Sequence, residues 1–165
     1  MNSYLERLRR ELEDAVGGAG DGDLAKAPAE KWNAGQILEH LFLTYKHTSR
    51  GLEKCLAQGA PLATRATVKD RLATLLVVNF GYFPGGRKSP ERAVPRGMPA
   101  EEARRAIVPE LQRMGSGLDE CERRFGVRTK ILDHPILGPL TAEEWRKFHW
   151  VHGRHHARQI RERMG

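Results

Sequence analysis

An all-α fold is what this sequence predicts, and three observations carry that reading. Apolar residues recur at helical spacing in successive segments. Ser, Thr or Asn followed three residues later by an acid or glutamine opens most of those segments. No stretch alternates apolar and polar residues as a half-buried strand would. At 165 residues the chain has the size of a single domain spanning 1–165, long enough to bury one core without staples.

Taken in order, Ser3 with Glu6 forms a capping-box pattern ahead of Leu5, Leu8 and Leu12, which share one helical face. The run GGAGDGD then breaks the chain. Asn33 with Gln36 opens a long helix over about 34–58, ended by Gln58-Gly59-Ala60-Pro61. Thr67 with Asp70 opens a third, running through RLATLLVVNF. GYFPGGRKSPERAVPRGMP, rich in Gly, Pro and Arg, reads as a long irregular connection. A fourth helix spans Ala100 to about Phe125, with Leu111, Met114, Leu118 and Cys121 as its buried stripe and Pro109 predicting a kink or a late start. Gly126 to Leu140 holds two prolines and two glycines and reads as a loop. Thr141 with Glu144 caps a last helix to about Met164. No internal repeat and no glycine-rich phosphate loop is present.

No run approaches the roughly 18 apolar residues of a membrane span, and the N-terminal segment lacks a signal peptide's apolar stretch. A cytoplasmic setting is therefore expected, with Cys55 and Cys121 as buried, inert thiols. The formal charge of +7 and a pI near 9.8 favour acidic partners. Nucleic acid is not the expected one. The basic face of the last helix lacks a helix-turn-helix or aromatic-interleaved pattern and reads as solvated. Among apolar residues, Leu75, Leu76, Val77 and Val78 surround their helix, which implies burial on more than one side, either in a homodimer or within the monomer.

Histidine placement carries the functional signal. The stretch HWVHGRHHARQI holds four of the seven histidines. On a helix its apolar face gathers Trp145, Phe148, His149, His152, His156, Gln159 and Ile160, with Lys147, Arg154, Arg158 and Arg161 opposite. His152 and His156 are one turn apart, the spacing that offers two nitrogens to one metal ion, though His149 could pair with His152 instead. His155 sits toward the edge. Gly153, unfavourable inside a helix by about 1 kcal/mol relative to alanine, points to close approach by a neighbour. A third ligand would come from His40 on the second helix's core stripe, or from His47 on nearly the same face. Glu39 points about 100° away from His40 and reads as a surface or helix-packing residue. Trp145 and Phe148 read as core filling. Tyr45, Tyr82 and the Arg-rich loop 81–97 could reach over a pocket, but nothing in the sequence places them there.

WNAGQILEHL resembles the start of the second helix of the DinB/YfiT-like superfamily of bacterial four-helix-bundle proteins. HPILGPLTAEEWRKFHWVHGRHHARQI resembles that superfamily's last helix and lead-in, in the branch with an HPxxGxLT loop and an HxxxHxxQI motif. Residues of about 60 to 130 match only in helical character. The resemblance implies an up-and-down bundle with a long crossover, often dimeric, holding a divalent metal on His40, His152 and His156. Gln159 falls on the glutamine after the motif, while His47, His149 and His155 lie outside the pattern, and His134 belongs to the lead-in loop. The metal would be zinc or nickel first, with iron or manganese also compatible with an all-histidine set. The activity implied is that of a metal-dependent thiol transferase or hydrolase acting on a small thiol or anionic molecule. The alternative is a metal-free or binding-module member of the same fold.

Overall fold

The computed structural model describes residues 2–26, 30–79 and 89–165, and they are mostly helical. Helix α1 is Ser3–Ala15, α2 is Asp21–Ala25, α3 is Ala34–Gln58, α4 is Val68–Thr74, α5 is Ala100–Phe125 and α6 is Ala142–Met164. A π-turn, Leu75–Asn79, continues α4, and a 3-10 turn, Glu91–Ala93, lies in the crossover to α5.

The capping pairs at Asn33/Gln36, Thr67/Asp70 and Thr141/Glu144 all form, each satisfying backbone N–H groups that the first helical turn leaves open. At α1 the pattern misleads by one residue. Asn2, not Ser3, is the cap, its side chain accepting from Tyr4 N at 2.9 Å. Helix α3 ends at its cap Gly59, whose φ of 68° is the left-handed conformation that suits glycine. Pro109 lies within α5 without ending it.

The four long helices pack on one another: α3 lies along α5, α1 along α6, and α6 also meets α3 and α5. Their facing stripes make one continuous core, with Leu5, Leu8, Leu38, Leu41, Leu111, Met114, Leu118 and Ile160 among the buried residues. Arg146, at the flank of the apolar face of α6, is only 2% exposed. Asp119 (2.7 Å) and Glu122 (3.0 Å) from α5 surround its guanidinium, so a fixed ion cluster ties α5 to α6.

Two expectations are corrected. The segment read as a loop contains a two-stranded antiparallel hairpin, β1 (Leu132–His134) with β2 (Gly138–Leu140). At three residues each, with Pro139 in the second, these strands are too short to show a period of two. The helix expected to run through RLATLLVVNF is α4, which is α-helical to Thr74 and then widens into the π-turn. Leu75 and Leu76 are exposed while Val78 is buried, so among the described residues the apolar run is covered on one side only. Phe80 and the first part of the crossover, including Tyr82, lie outside the described residues.

Gly153 is where α1 and α3 press closest on α6. A Cβ there would overlap Leu8 Cδ1 and stand 3.2 Å from the Tyr45 hydroxyl. Overpacking against two fully buried side chains outweighs alanine's better helix propensity. Gly153→Ala should lower stability by about 1–3 kcal/mol in urea unfolding, and an unchanged or raised midpoint would contradict this packing.

Candidate metal centre

Three helical-face positions come together at one end of the core. His40 from α3 and His152 and His156 from α6 are all buried, and their ligand nitrogens lie within 4.8 Å of one another. His152 Nε2 stands 3.3 Å from His40 Nε2 and 3.1 Å from His156 Nε2. Two nitrogens bound to one tetrahedral ion at about 2.0–2.1 Å would be separated by about 3.3 Å, and both spacings from His152 match that value.

The outer nitrogens decide which lone pairs face inward. His40 Nδ1 lies 2.7 Å from the Ala93 carbonyl, and His156 Nδ1 lies 2.7 Å from Gln159 Oε1. A carbonyl oxygen can only accept, so both Nδ1 atoms carry the proton and both Nε2 atoms are bare. Burial reinforces this. It lowers the basicity of His40 and holds His156 down to about 3, with the neighbouring His40 adding to the effect, while His152 is pushed well below the ordinary imidazole range. Neutral imidazoles with inward lone pairs are the form that binds a cation.

The Ala93 carbonyl is itself held in place from α3. Glu39 is 2% exposed, and its carboxylate accepts from the backbone N–H groups of Arg96 (2.7 Å), Gly97 (3.1 Å) and Met98 (3.0 Å). Its sequence reading as a surface or packing residue is therefore replaced. Glu39 anchors the crossover whose 3-10 turn meets His40, and His47 assists by bonding the Arg92 carbonyl at 2.9 Å. His47 is thus a strut for the loop, away from the cluster.

Next to the cluster opens a cavity of about 1300 Å3. Its wall includes Trp32, Trp145, Phe148, His134, Leu137 and the three clustered histidines. Trp145 and Phe148 are 3% exposed, so they fill core with one side and line the cavity with the other. Phe148 stacks on His152 with ring centroids 5.4 Å apart and planes 12° apart, fixing that ring's tilt. Trp32 lies 5.2 Å from the His40 ring. Arg50, Lys54 and Arg92 also line the cavity, and none is in an ion pair among the described residues. Glu53, on the same wall, is engaged by Arg113 at 2.9 Å.

The other histidines divide by position. His155 is half-buried on the cavity wall with its ring 5.2 Å from His156. His149 is fully buried away from the cluster, between Tyr45 and Trp145, with Nε2 3.2 Å from the Thr48 hydroxyl. Its Nδ1 and the Tyr45 hydroxyl have no hydrogen-bond partner among the described residues. Tyr45 is therefore core rather than lid. Sequence patterning offered His40 with His47 as its competitor, but could reach neither the Ala93 carbonyl, which is backbone, nor the Glu39 clamp, which depends on the crossover's path.

Burial also sets a pH response. Desolvation, with the His134 charge adding to it, lowers His149 to about 3, whereas an unfolded histidine titrates near 6.5. Below about 6.5 the unfolded chain takes up a proton that folded His149 refuses. This stability is therefore complete above 6.5 and is lost as pH falls toward the folded value. The urea midpoint of metal-free protein should fall between pH 7 and pH 5. His149→Gln should flatten the dependence by about 1.4 kcal/mol per pH unit, one proton's worth; identical slopes would contradict it.

Neither the curated proteins nor the solved structures provide a match to the chain. Residues 22–163 match the family described as "Protein of unknown function (DUF1569)". That match covers well over half the sequence, and the chain belongs to the DUF1569 family.

Proposed function

We propose that this chain is a metal-dependent enzyme with a divalent ion held by His40, His152 and His156 at the floor of the cavity. The observation that carries the reading is the pair of bare Nε2 lone pairs, on His40 and His156, aimed at His152 Nε2. One proton on His152 can serve only one of those acceptors well, whereas a cation satisfies all three nitrogens together. The long helices support the finer fold reading, an up-and-down four-helix bundle of DinB/YfiT type with a long crossover ahead of α5. Zinc or nickel suits three neutral imidazoles best, with iron or manganese also compatible.

Three protein ligands would leave a position open, and all three histidines line the cavity. Such an ion would supply Lewis acidity that lowers the pKa of a bound water or thiol, or polarises a carbonyl. The protein's own groups do the rest. Trp145 and Phe148 keep water from one side of the site, and Arg50, Lys54 and Arg92 draw an anionic group into the mouth. A small thiol or other anionic molecule is accordingly the substrate class, and thiol transfer or hydrolysis the reaction type. No described helix is long and apolar enough to cross a membrane, in keeping with a cytoplasmic enzyme.

Metal analysis of untagged protein purified without chelator should give about one ion per chain, as three protein ligands with an open position require. His40→Ala and His152→Ala should each lose at least about tenfold in affinity, and His47→Ala should retain metal. Equal metal content in wild type and both ligand variants would sink the reading, leaving the metal-free alternative.

We also propose a homodimer, supported by the exposed stripe Val68, Leu72, Leu75 and Leu76, which repeats at helical spacing along α4 and its π-turn. Sedimentation should show a species near twice 18.6 kDa that Leu72→Glu with Leu76→Glu converts to monomer. A clean wild-type monomer at tens of micromolar would reject it.

A further inference from the structure

The tight turn between β1 and β2 fixes the proton of a histidine that the metal site does not use. His134 Nδ1 lies 3.1 Å from the backbone nitrogen of Ile136 and 3.1 Å from that of Leu137. Both backbone groups can only donate, so Nδ1 must be a bare acceptor and the ring's proton sits on Nε2. This is the opposite tautomer from His40 and His156. Nε2 meets no hydrogen-bond partner among the described residues, and the ring lines the cavity beside the metal centre. Its centroid is 4.3 Å from Phe148, which in turn stacks on His152. Trp145, 5.5 Å away, flanks it on a second side.

We propose that His134 is a ligand-binding residue, its Nε2–H donating a hydrogen bond to an acceptor oxygen of the molecule whose other end sits on the three-histidine centre. The inference rests on the metal-centred reading above and names what that ligand carries: a carbonyl or carboxylate oxygen set apart from its metal-binding group. A bare imidazole donor is well suited to this place. The two backbone N–H groups occupy the nitrogen that would otherwise take a second proton, so the ring stays neutral and always presents N–H to the cavity. A lysine or arginine there would instead bring a charge into a wall made of Phe148, Trp145 and Leu137, with its desolvation cost.

The turn and the donor can be separated by substitution. In His134→Asn the side-chain oxygen can replace Nδ1 as acceptor for the turn, and asparagine before Pro135 is a favourable turn opener, but the Nε2 donor is gone. In His134→Gln an amide N–H can reach the Nε2 position, with the turn bonds weakened.

Histidine-selective long-range 1H–15N spectra of the metal-free full chain should show the His134 proton on Nε2; a proton on Nδ1 overturns the proposal. The same chain is then loaded with cobalt(II), followed by its visible absorption, and titrated with acetate and with the dicarboxylates from malonate to adipate. Wild type should bind one member of the series at least about fivefold more tightly than acetate, the worth of one hydrogen bond. His134→Asn should bind acetate as wild type does and lose that advantage, and His134→Gln should recover part of it. Equal dicarboxylate-to-acetate ratios in all three proteins, with cobalt bound, overturn this proposal and leave the metal reading standing. A chain that takes up no cobalt overturns both.

Discussion

Everything around the site depends on the choice of which nitrogen of each buried ring keeps its proton. An imidazole has one donor and one acceptor, and burial removes the option of resolving a conflict by charging up. Once Ala93 and Gln159 take the Nδ1 protons of His40 and His156, two lone pairs must point at His152. That arrangement is costly without a cation and favourable with one. The same helices would bury leucines at these positions with less difficulty, so the histidines are a cost to folding that a bound ion would offset.

That cost explains how firmly the neighbouring backbone is held. The Ala93 carbonyl comes from a crossover, which by itself has few ways to fix its path. Glu39, one residue before His40, binds three consecutive backbone N–H groups of that crossover with a buried carboxylate. Charge-assisted bonds of this kind are stronger than neutral ones, so α3 carries both His40 and the clamp that orients it. His40 on one face of α3 and its support on another converge because the chain returns over the helix end. On α6, Gln159 does the same work within a single turn, three residues beyond His156.

Much of this was legible from the sequence, and what was not has identifiable causes. Helix bounds at Ala34–Gln58, Ala100–Phe125 and Ala142–Met164 follow from caps and periodicity, which are local. Apolar stripes made His40, His152 and His156 candidates beside His47 and His149, the DinB/YfiT-like resemblance chose among them, and the chain brings these three together. Glu39 was misread since periodicity tells only which way a side chain points from its own helix, while the clamp comes from residues 96–98, far along the chain. Arg146 was hidden for a similar reason, its acids lying on α5. The hairpin escaped notice because three-residue strands with a proline carry no period, and α2 is a single turn and a half.

Tautomers lie furthest from the sequence, because they are set by whichever polar atom comes within hydrogen-bonding distance. His40 and His134 have the same side chain, yet a carbonyl faces Nδ1 of one and two amides face Nδ1 of the other. The first is thereby made a Lewis base toward the site and the second a hydrogen-bond donor toward the cavity. Both are neutral and neither needs a partner charge. The wall of the cavity thus gains polar function at small desolvation cost, which lets Phe148, Trp145 and Leu137 keep it apolar elsewhere. A hairpin of six paired residues is enough to do this, since its turn has only to present two N–H groups to one ring nitrogen.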